Sequence, residues 1–491
     1  MPDNFAVSLF CLPLPEDINQ FNSNMKKISF LILCTLLAVC AYAQEAKYVF
    51  FFIGDGMGVN QVQGTELYLG ELDGKIGIAP LNFAEFPYAT TSSTYSATNG
   101  VTDSAAGGTA LATGTKTKNG VIGMEKDQQT PIASIAMRAK EKGCRVGIAT
   151  SVSIDHATPA AFYAHNPSRK NYYQIGKDLF LASFDFYAGS DFLDPDNHGQ
   201  SESLYTLARQ NGYTIARGYD DFTAKSNQAD KLILLQTEEA SKAYRDAIPY
   251  AIDSKEGDLC LSDITRAAIQ FLSKDLSKGF FLMVEGGKID WACHSNDAAT
   301  AFREVADLNE AIRQALQFYE NHPDETLIVI SADHETGGLV LGTGEYALNL
   351  QALQYQRVSE TAFTSILNDL RRQTNNRVTW EQARQALADN FGFWEELTLS
   401  DEQTQRLEET YRRTFTGKEV EMEKSEYAQD EPLAAEAVRI INEIAMVGWV
   451  SGGHSAGYVP VFAIGAGADR FQGRMDNIEI PARIAEAAQY N

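Results

Sequence analysis

Acidic and histidine side chains recur in this sequence just past runs of apolar residues. Asp55 follows Tyr48 to Ile53 (YVFFFI) inside Gly54-Asp55-Gly56-Met57-Gly58. Glu285 follows Phe280 to Val284 (FFLMV), and Asp290 and His294 come next with i, i+4 spacing, which puts both on one helical face. Asp333 and His334 follow Thr326 to Ile330 (TLIVI), and His454 lies in Gly452-Gly453-His454-Ser455. Asp55, Asp290, Asp333, His294, His334 and His454 make a nitrogen and oxygen donor set suited to zinc. Asp55, Thr158 and Glu285 offer oxygen alone, which suits magnesium. Ser104 opens Asp103-Ser104-Ala105-Ala106, where Asp and Ser favour a helix N-terminus. A serine there lies at free N–H groups and the positive end of the helix dipole, a setting for an oxygen nucleophile attacking an anion. An ordinary cap in a Gly/Ala-rich turn is the alternative. Arg169 reads either as a surface charge or as a bidentate clamp on phosphate oxygens.

These residues need a frame. Arg145 to Thr150, Phe184 to Tyr187, Tyr213 to Ala216 and Lys231 to Leu235 read as further strands, and Val459 to Ile464 as the last. Helices are expected over Pro131 to Lys142, Ser201 to Gln210 and Ser262 to Leu272, and Thr90 to Ala97 reads as an edge strand. Strands alternating with helices predict an α/β fold with a central, mostly parallel sheet flanked by helices. A carboxylate past a buried strand sits where such sheets place their sites. Residues 341–447 break the pattern. They are rich in Gln, Glu, Arg and Asn, with helical periodicity over Phe363 to Leu370, Trp380 to Phe391, Glu402 to Thr414 and Leu433 to Ile444. The expected organisation is an N-terminal extension and signal peptide over 1–43, a catalytic domain over 44–340 and 448–491, and a helical insertion or cap over 341–447.

The 491 residues carry a formal charge of −24, which argues against nucleic acid or an anionic membrane surface as partner. An acidic protein that handles an anion needs local positive charge, which bound metal ions supply. Lys26 and Lys27 precede an apolar stretch, Ile28 to Val39, too short to span a bilayer. Ala41-Tyr42-Ala43 has the form of a signal-peptidase site, so Gln44 would begin a periplasmic or secreted chain without a transmembrane anchor. Translation is expected to start at Met25. Leu37-Ala38-Val39-Cys40 also loosely matches a lipoprotein box, with anchoring at Cys40 as the alternative. Cleavage leaves Cys144, Cys260 and Cys293, too few for a disulfide framework.

Taken together and in order, Gly54 to Gly58, Thr102 to Ala106, Ser168-Arg169-Lys170, Glu285 to Asp290 with His294, Asp333 to Gly338 and Gly453-His454-Ser455 resemble the motifs of the alkaline phosphatase family. The resemblance covers nearly all of the chain outside the signal peptide and insertion. It implies a hydrolase of phosphate monoesters in which Ser104 becomes a phosphoserine. Two zinc ions, one held by Asp55, Asp333 and His334 and the other by Asp290, His294 and His454, would clamp the attacking and leaving oxygens. Magnesium would sit on Asp55, Thr158 and Glu285, and Arg169 would bind the non-bridging oxygens. Members are often homodimers. Two positions vary within the family. His156 stands where some members have Asp, which leaves the third metal open, and Trp291 stands where some have Lys. An uncharged tryptophan predicts weaker phosphate binding than in the lysine-bearing members. Phosphodiesterases, sulfatases and metal-dependent mutases are related alternatives. Sulfatases carry a Cys/Ser-x-Pro-x-Arg context that is absent at Ser104, and Thr158, Glu285 and Arg169 favour a monoesterase over a diesterase. A secreted metal- or phosphate-binding protein is the non-enzymatic alternative, and it would not need Ser104.

Overall fold

The computed structural model describes residues 45–344, 346–415 and 421–490. The segment expected to be a signal peptide and Cys40 fall outside them. Ten strands form one sheet: β1 (Tyr48–Gly54), β2 (Tyr88–Ser93), β3 (Arg145–Thr150), β4 (Phe186–Gly189), β5 (Tyr213–Arg217), β6 (Lys231–Leu235), β7 (Phe280–Gly286), β8 (Thr326–Ser331), β9 (Val459–Gly465) and β10 (Met475–Asp476). Their order is β10-β2-β9-β8-β1-β7-β3-β4-β6-β5. Only β9 opposes its neighbours, pairing antiparallel with β2 and β8.

The apolar runs explain the middle of this sheet. Along β1 all seven residues are buried. Val49, Phe51 and Ile53 pack into one hydrophobic layer and Tyr48, Phe50 and Phe52 into the other, so both faces of the strand are covered by helices. Parallel pairing brings Ile53 level with Glu285 on one side and Ser331 on the other. The chain therefore leaves β1, β7 and β8 at one height, and Asp55, Glu285 and Asp333 emerge together.

Several expected elements shift: the strand read over Phe184 to Tyr187 lies two residues later, and the helix read from Ser201 begins at Leu204. The segment read as an edge strand ends at Ser93 and is second from the edge, because the short β10 pairs with Ser92 and Ser93 and covers it. The helix expected from Pro131 begins at Ile135, where the Ser134 hydroxyl accepts from the Met137 N–H and fixes the start.

Helices α1 (Val59–Leu72), α2 (Ser104–Thr113), α3 (Lys288–His294) and α4 (Ala298–Asn321) pack around the sheet. Four more, α5 (Glu360–Gln373), α6 (Trp380–Phe391), α7 (Asp401–Phe415) and α8 (Pro432–Ala445), build a third apolar cluster. Phe363, Leu387, Leu407 and Ile441 meet there with Tyr68 of α1 and Phe302 of α4. Val340 and Leu341 pair antiparallel with Gly448 and Val447, so this helical segment leaves and rejoins the main body at one place. Between α7 and α8 a small hairpin pairs Glu423–Lys424 with Gln429–Asp430. Cys144, Cys260 and Cys293 are all free thiols. Among the described residues, no helix is long and apolar enough to cross a membrane.

Candidate active site

Ser104 is the first residue of α2 and is fully buried. Asp103 caps the helix by accepting from the Ala106 N–H at 3.0 Å. The small residues that follow let α2 approach the sheet. A Cβ on Gly107 would lie 2.9 Å from the Asp333 carbonyl oxygen. The helix start is thereby held against the end of β8, and Ser104 Oγ lies 3.2 Å from His334 Nε2. Gly56, with φ of +71°, makes a turn past β1 that few side chains tolerate, and a Cβ there would strike the Asp290 backbone at 2.8 Å.

Among the described residues, side chains that could ligate a metal converge in four overlapping groups: Asp55, Asp333 and His334; Asp290, His334 and His454; His294, Glu426 and His454; and Asp55, His156 and Glu285. The imidazoles are oriented by their Nδ1 atoms. His294 Nδ1 donates to the Gly452 carbonyl at 2.6 Å, and His454 Nδ1 to the Thr102 carbonyl at 2.9 Å. Thr336 Oγ1 donates to Asp290 Oδ1 and is left to accept from His334 Nδ1 at 3.2 Å. All three rings thus turn Nε2 inward, and the Nε2 atoms of His294 and His454 lie 3.1 Å apart. Two lone pairs facing each other need a proton or a cation between them. Asp55 Oδ1, Asp290 Oδ2, Asp333 Oδ2 and Glu285 Oε1 are buried without a hydrogen-bond partner. This donor set fits a pair of N/O-ligated ions, and an orphaned carboxylate oxygen in three of the four groups is the direct sign of it.

The electrostatics agree. Burial, and then the charges of Asp333 and Asp290, push Asp55 well above the usual carboxylate range. Burial followed by Asp290 takes Asp333 to about 7. Burial also takes Glu285 to about 7. Burial alone would lower His294, but the adjoining Asp290 charge outweighs it and the imidazole rises to about 9. Protons thus hold the site together where no metal competes, and metal binding would release them.

Around the Asp55, His156 and Glu285 group, Thr158 Oγ1 lies 3.4 Å from Asp55 Oδ2, and the Thr150 hydroxyl donates to Glu285 Oε2. His156 has one ring nitrogen within ligating reach of Asp55 and Glu285. Burial and then Arg169 hold it down to about 3, so it is a neutral donor. Arg169 is gripped on both sides. Its Nη1 meets Asp103 Oδ2 at 3.2 Å, and its Nη2 donates to the Tyr427 hydroxyl at 3.1 Å. The Tyr427 ring stacks on Trp291 with centroids 4.6 Å apart and planes at 11°. All the residues singled out in the sequence reach this one region. Thr336, Thr150, Glu426 and Tyr427 were not among them. Thr336 lies inside the quoted Asp333 to Gly338 motif, whereas Glu426 and Tyr427 sit in the hairpin turn between α7 and α8 with no motif around them.

Serine, guanidinium and metal-ligating groups sharing the carboxyl edge of a mostly parallel sheet define a hydrolase of the kind that moves phosphoryl groups with metal ions. The family model "Alkaline phosphatase" matches residues 46–179 and 202–490, and the chain belongs to that family of phosphomonoester hydrolases. It is 30% identical over 456 residues to alkaline phosphatase 3 of Bacillus subtilis, covering 91% of this chain and 90% of that protein. The crystal structure of a cold-active alkaline phosphatase from a psychrophilic Shewanella species superposes with a TM-score of 0.74 at 30% identity, over 90% of this chain and 99% of that one. The alkaline phosphatase of the Antarctic bacterium TAB5 gives 0.64 at 27% identity, over 91% and 99%.

Proposed function

We propose that this chain is an exported alkaline phosphatase that cleaves phosphate monoesters through a phosphoserine at Ser104. It would carry zinc on Asp55, Asp333 and His334 and on Asp290, His294 and His454. When bound, the ions supply positive charge that favours the serine alkoxide and offsets charge on the leaving oxygen. Ser104 Oγ forms the new P–O bond as the ester P–O bond breaks and the alcohol leaves. Water then splits the phosphoserine and releases inorganic phosphate. Arg169 holds two non-bridging oxygens, and Asp103 orients the guanidinium for that task. The α2 N-terminus adds its N–H groups and dipole.

Asp55, Thr158 and Glu285 would hold a third ion, magnesium. His156 beside them adds a nitrogen donor, which shifts the preference of that site towards zinc. Solved structures of the TAB5 enzyme with one histidine replaced by Glu or Asp are described with magnesium in its M3 site. Export rests on the segment from Met25 to Ala43, and an exported chain beginning at Gln44 would support it over anchoring at Cys40. A homodimer rests on the family alone.

The observation that carries this reading is the burial of Ser104 Oγ at a helix N-terminus, 3.2 Å from His334 Nε2 and among partnerless carboxylate oxygens. The test is to compare 4-nitrophenyl phosphate with the matching diester, using zinc- and magnesium-loaded protein. The monoester is expected to be strongly preferred, and Ser104→Ala to lower its turnover by about three orders of magnitude or more. A diester preference, or an active Ser104→Ala, would sink the assignment.

A further inference from the structure

Glu426 lies outside every motif that carries the family resemblance, yet it reaches the catalytic histidines. It stands in the turn of the hairpin between α7 and α8, next to Tyr427. Its Oε2 lies 3.5 Å from His294 Nε2, and a ligand atom from each of His294, His454 and Glu426 falls within 4.8 Å of the others. Both imidazoles offer Nε2 to that point, because their Nδ1 atoms are taken by the Gly452 and Thr102 carbonyls. Asp290 approaches the same two nitrogens from the protein interior, with Oδ2 at 3.2 Å from His294 and Oδ1 at 3.6 Å from His454.

The turn is held in place by its next residue. Tyr427 stacks on Trp291, accepts from Arg169 and packs its ring edge-on to His294, with centroids 5.4 Å apart. Each of these contacts joins the hairpin to a residue of the site itself. The Glu426 side chain is 49% exposed, whereas that of Asp290 is fully buried. One carboxylate is thus fixed, and the other is free to withdraw into water.

We infer that Glu426 is an exchangeable fourth protein ligand of the metal ion held by Asp290, His294 and His454, brought to the site by the helical insertion. The inference rests on the metal assignment proposed above. Three protein ligands leave a catalytic zinc one open position, and a water-accessible carboxylate suits that place because it can both complete the coordination and yield it. Glu426 would then retain the ion while the site is free of substrate and give way when a phosphate oxygen arrives.

The test uses the full chain, stripped of metal and titrated with zinc against a chromophoric chelator. It is repeated with cobalt(II), whose visible absorption reports coordination number. Glu426→Gln keeps the shape of the side chain and removes its charge at a half-exposed position. It is expected to lower zinc affinity at one site by about tenfold or more, within the range that lost ligand support costs elsewhere. It should also change the cobalt spectrum. Unchanged affinity and spectrum would overturn the inference. So would weakened binding with an unchanged spectrum, which would make Glu426 a distant charge rather than a ligand. A wild-type chain that takes up no zinc would overturn both this inference and the reading of the site on which it rests.

Discussion

At the scale of single residues, the hydrogen bond that steadies a ligand matters as much as the ligand. Thr336 ties Asp290 to His334, which are assigned above to different zinc ions, through one hydroxyl. Thr336→Val keeps the shape and removes the tie. It is expected to speed zinc loss to a chelator by about tenfold, read as the rate of zinc release from loaded protein. Trp291→Lys places a positive charge beside the phosphate site, and the inhibition constant for inorganic phosphate should fall; an unchanged constant would refute the role given to this position. Much at this scale was legible in the sequence. A buried parallel strand writes itself as an unbroken apolar run, so a carboxylate just beyond it is conspicuous, as Asp55, Glu285 and Asp333 were. Tyr427 and Glu426 were not legible, because their hairpin pairs only two residues per strand and has no periodicity to read.

At the scale of elements, that hairpin is anchored by an unusual group. Asp430 is buried, with Oδ1 unpartnered. Burial, followed by the charges of Asp297 and Glu423, raises its carboxyl to about 7. The folded state therefore binds this proton more tightly than the unfolded chain does. The stabilisation is complete below about pH 4 and is lost as pH rises through 7. Asp430→Asn is neutral at every pH. Its stability relative to wild type should grow with pH and level off above 7, after a gain of roughly 4 kcal/mol. Thermal melts from pH 5 to 8 would show the curves parting, and a constant difference would refute the assignment. The strand over 88–93 shows why element positions were harder to read than element types. Its polar, half-buried sequence looks like an edge, and the two-residue β10 that covers it comes from almost 400 positions away.

At the scale of the whole molecule, the net charge of −24 and the cluster of buried acids at the strand ends pull in the same direction. Without cations, burial and the neighbouring charges force protons onto Asp55, Asp333 and Glu285, and part of the folding free energy is spent on holding these acids in the pocket. Bound metal should return it by mass action, about 4 kcal/mol for an ion present at a thousand times its dissociation constant. Chelation is accordingly expected to lower the melting temperature by several degrees and zinc to restore it, measured by calorimetry. A melting temperature indifferent to both would mean that the pocket does not hold the ions proposed for it.

The pairing of Val340–Leu341 with Val447–Gly448 has a consequence for how such a protein can change. Where a segment starts and finishes on adjacent backbone, its length is nearly irrelevant to the rest, because the entropy of closing a loop grows only slowly with its size. Lineages can lengthen, trim or swap the helices between these two points while the histidines and carboxylates keep their places. Substrate preference and metal retention can then evolve in the exchangeable part, leaving the bond-breaking chemistry unaltered in the part beneath.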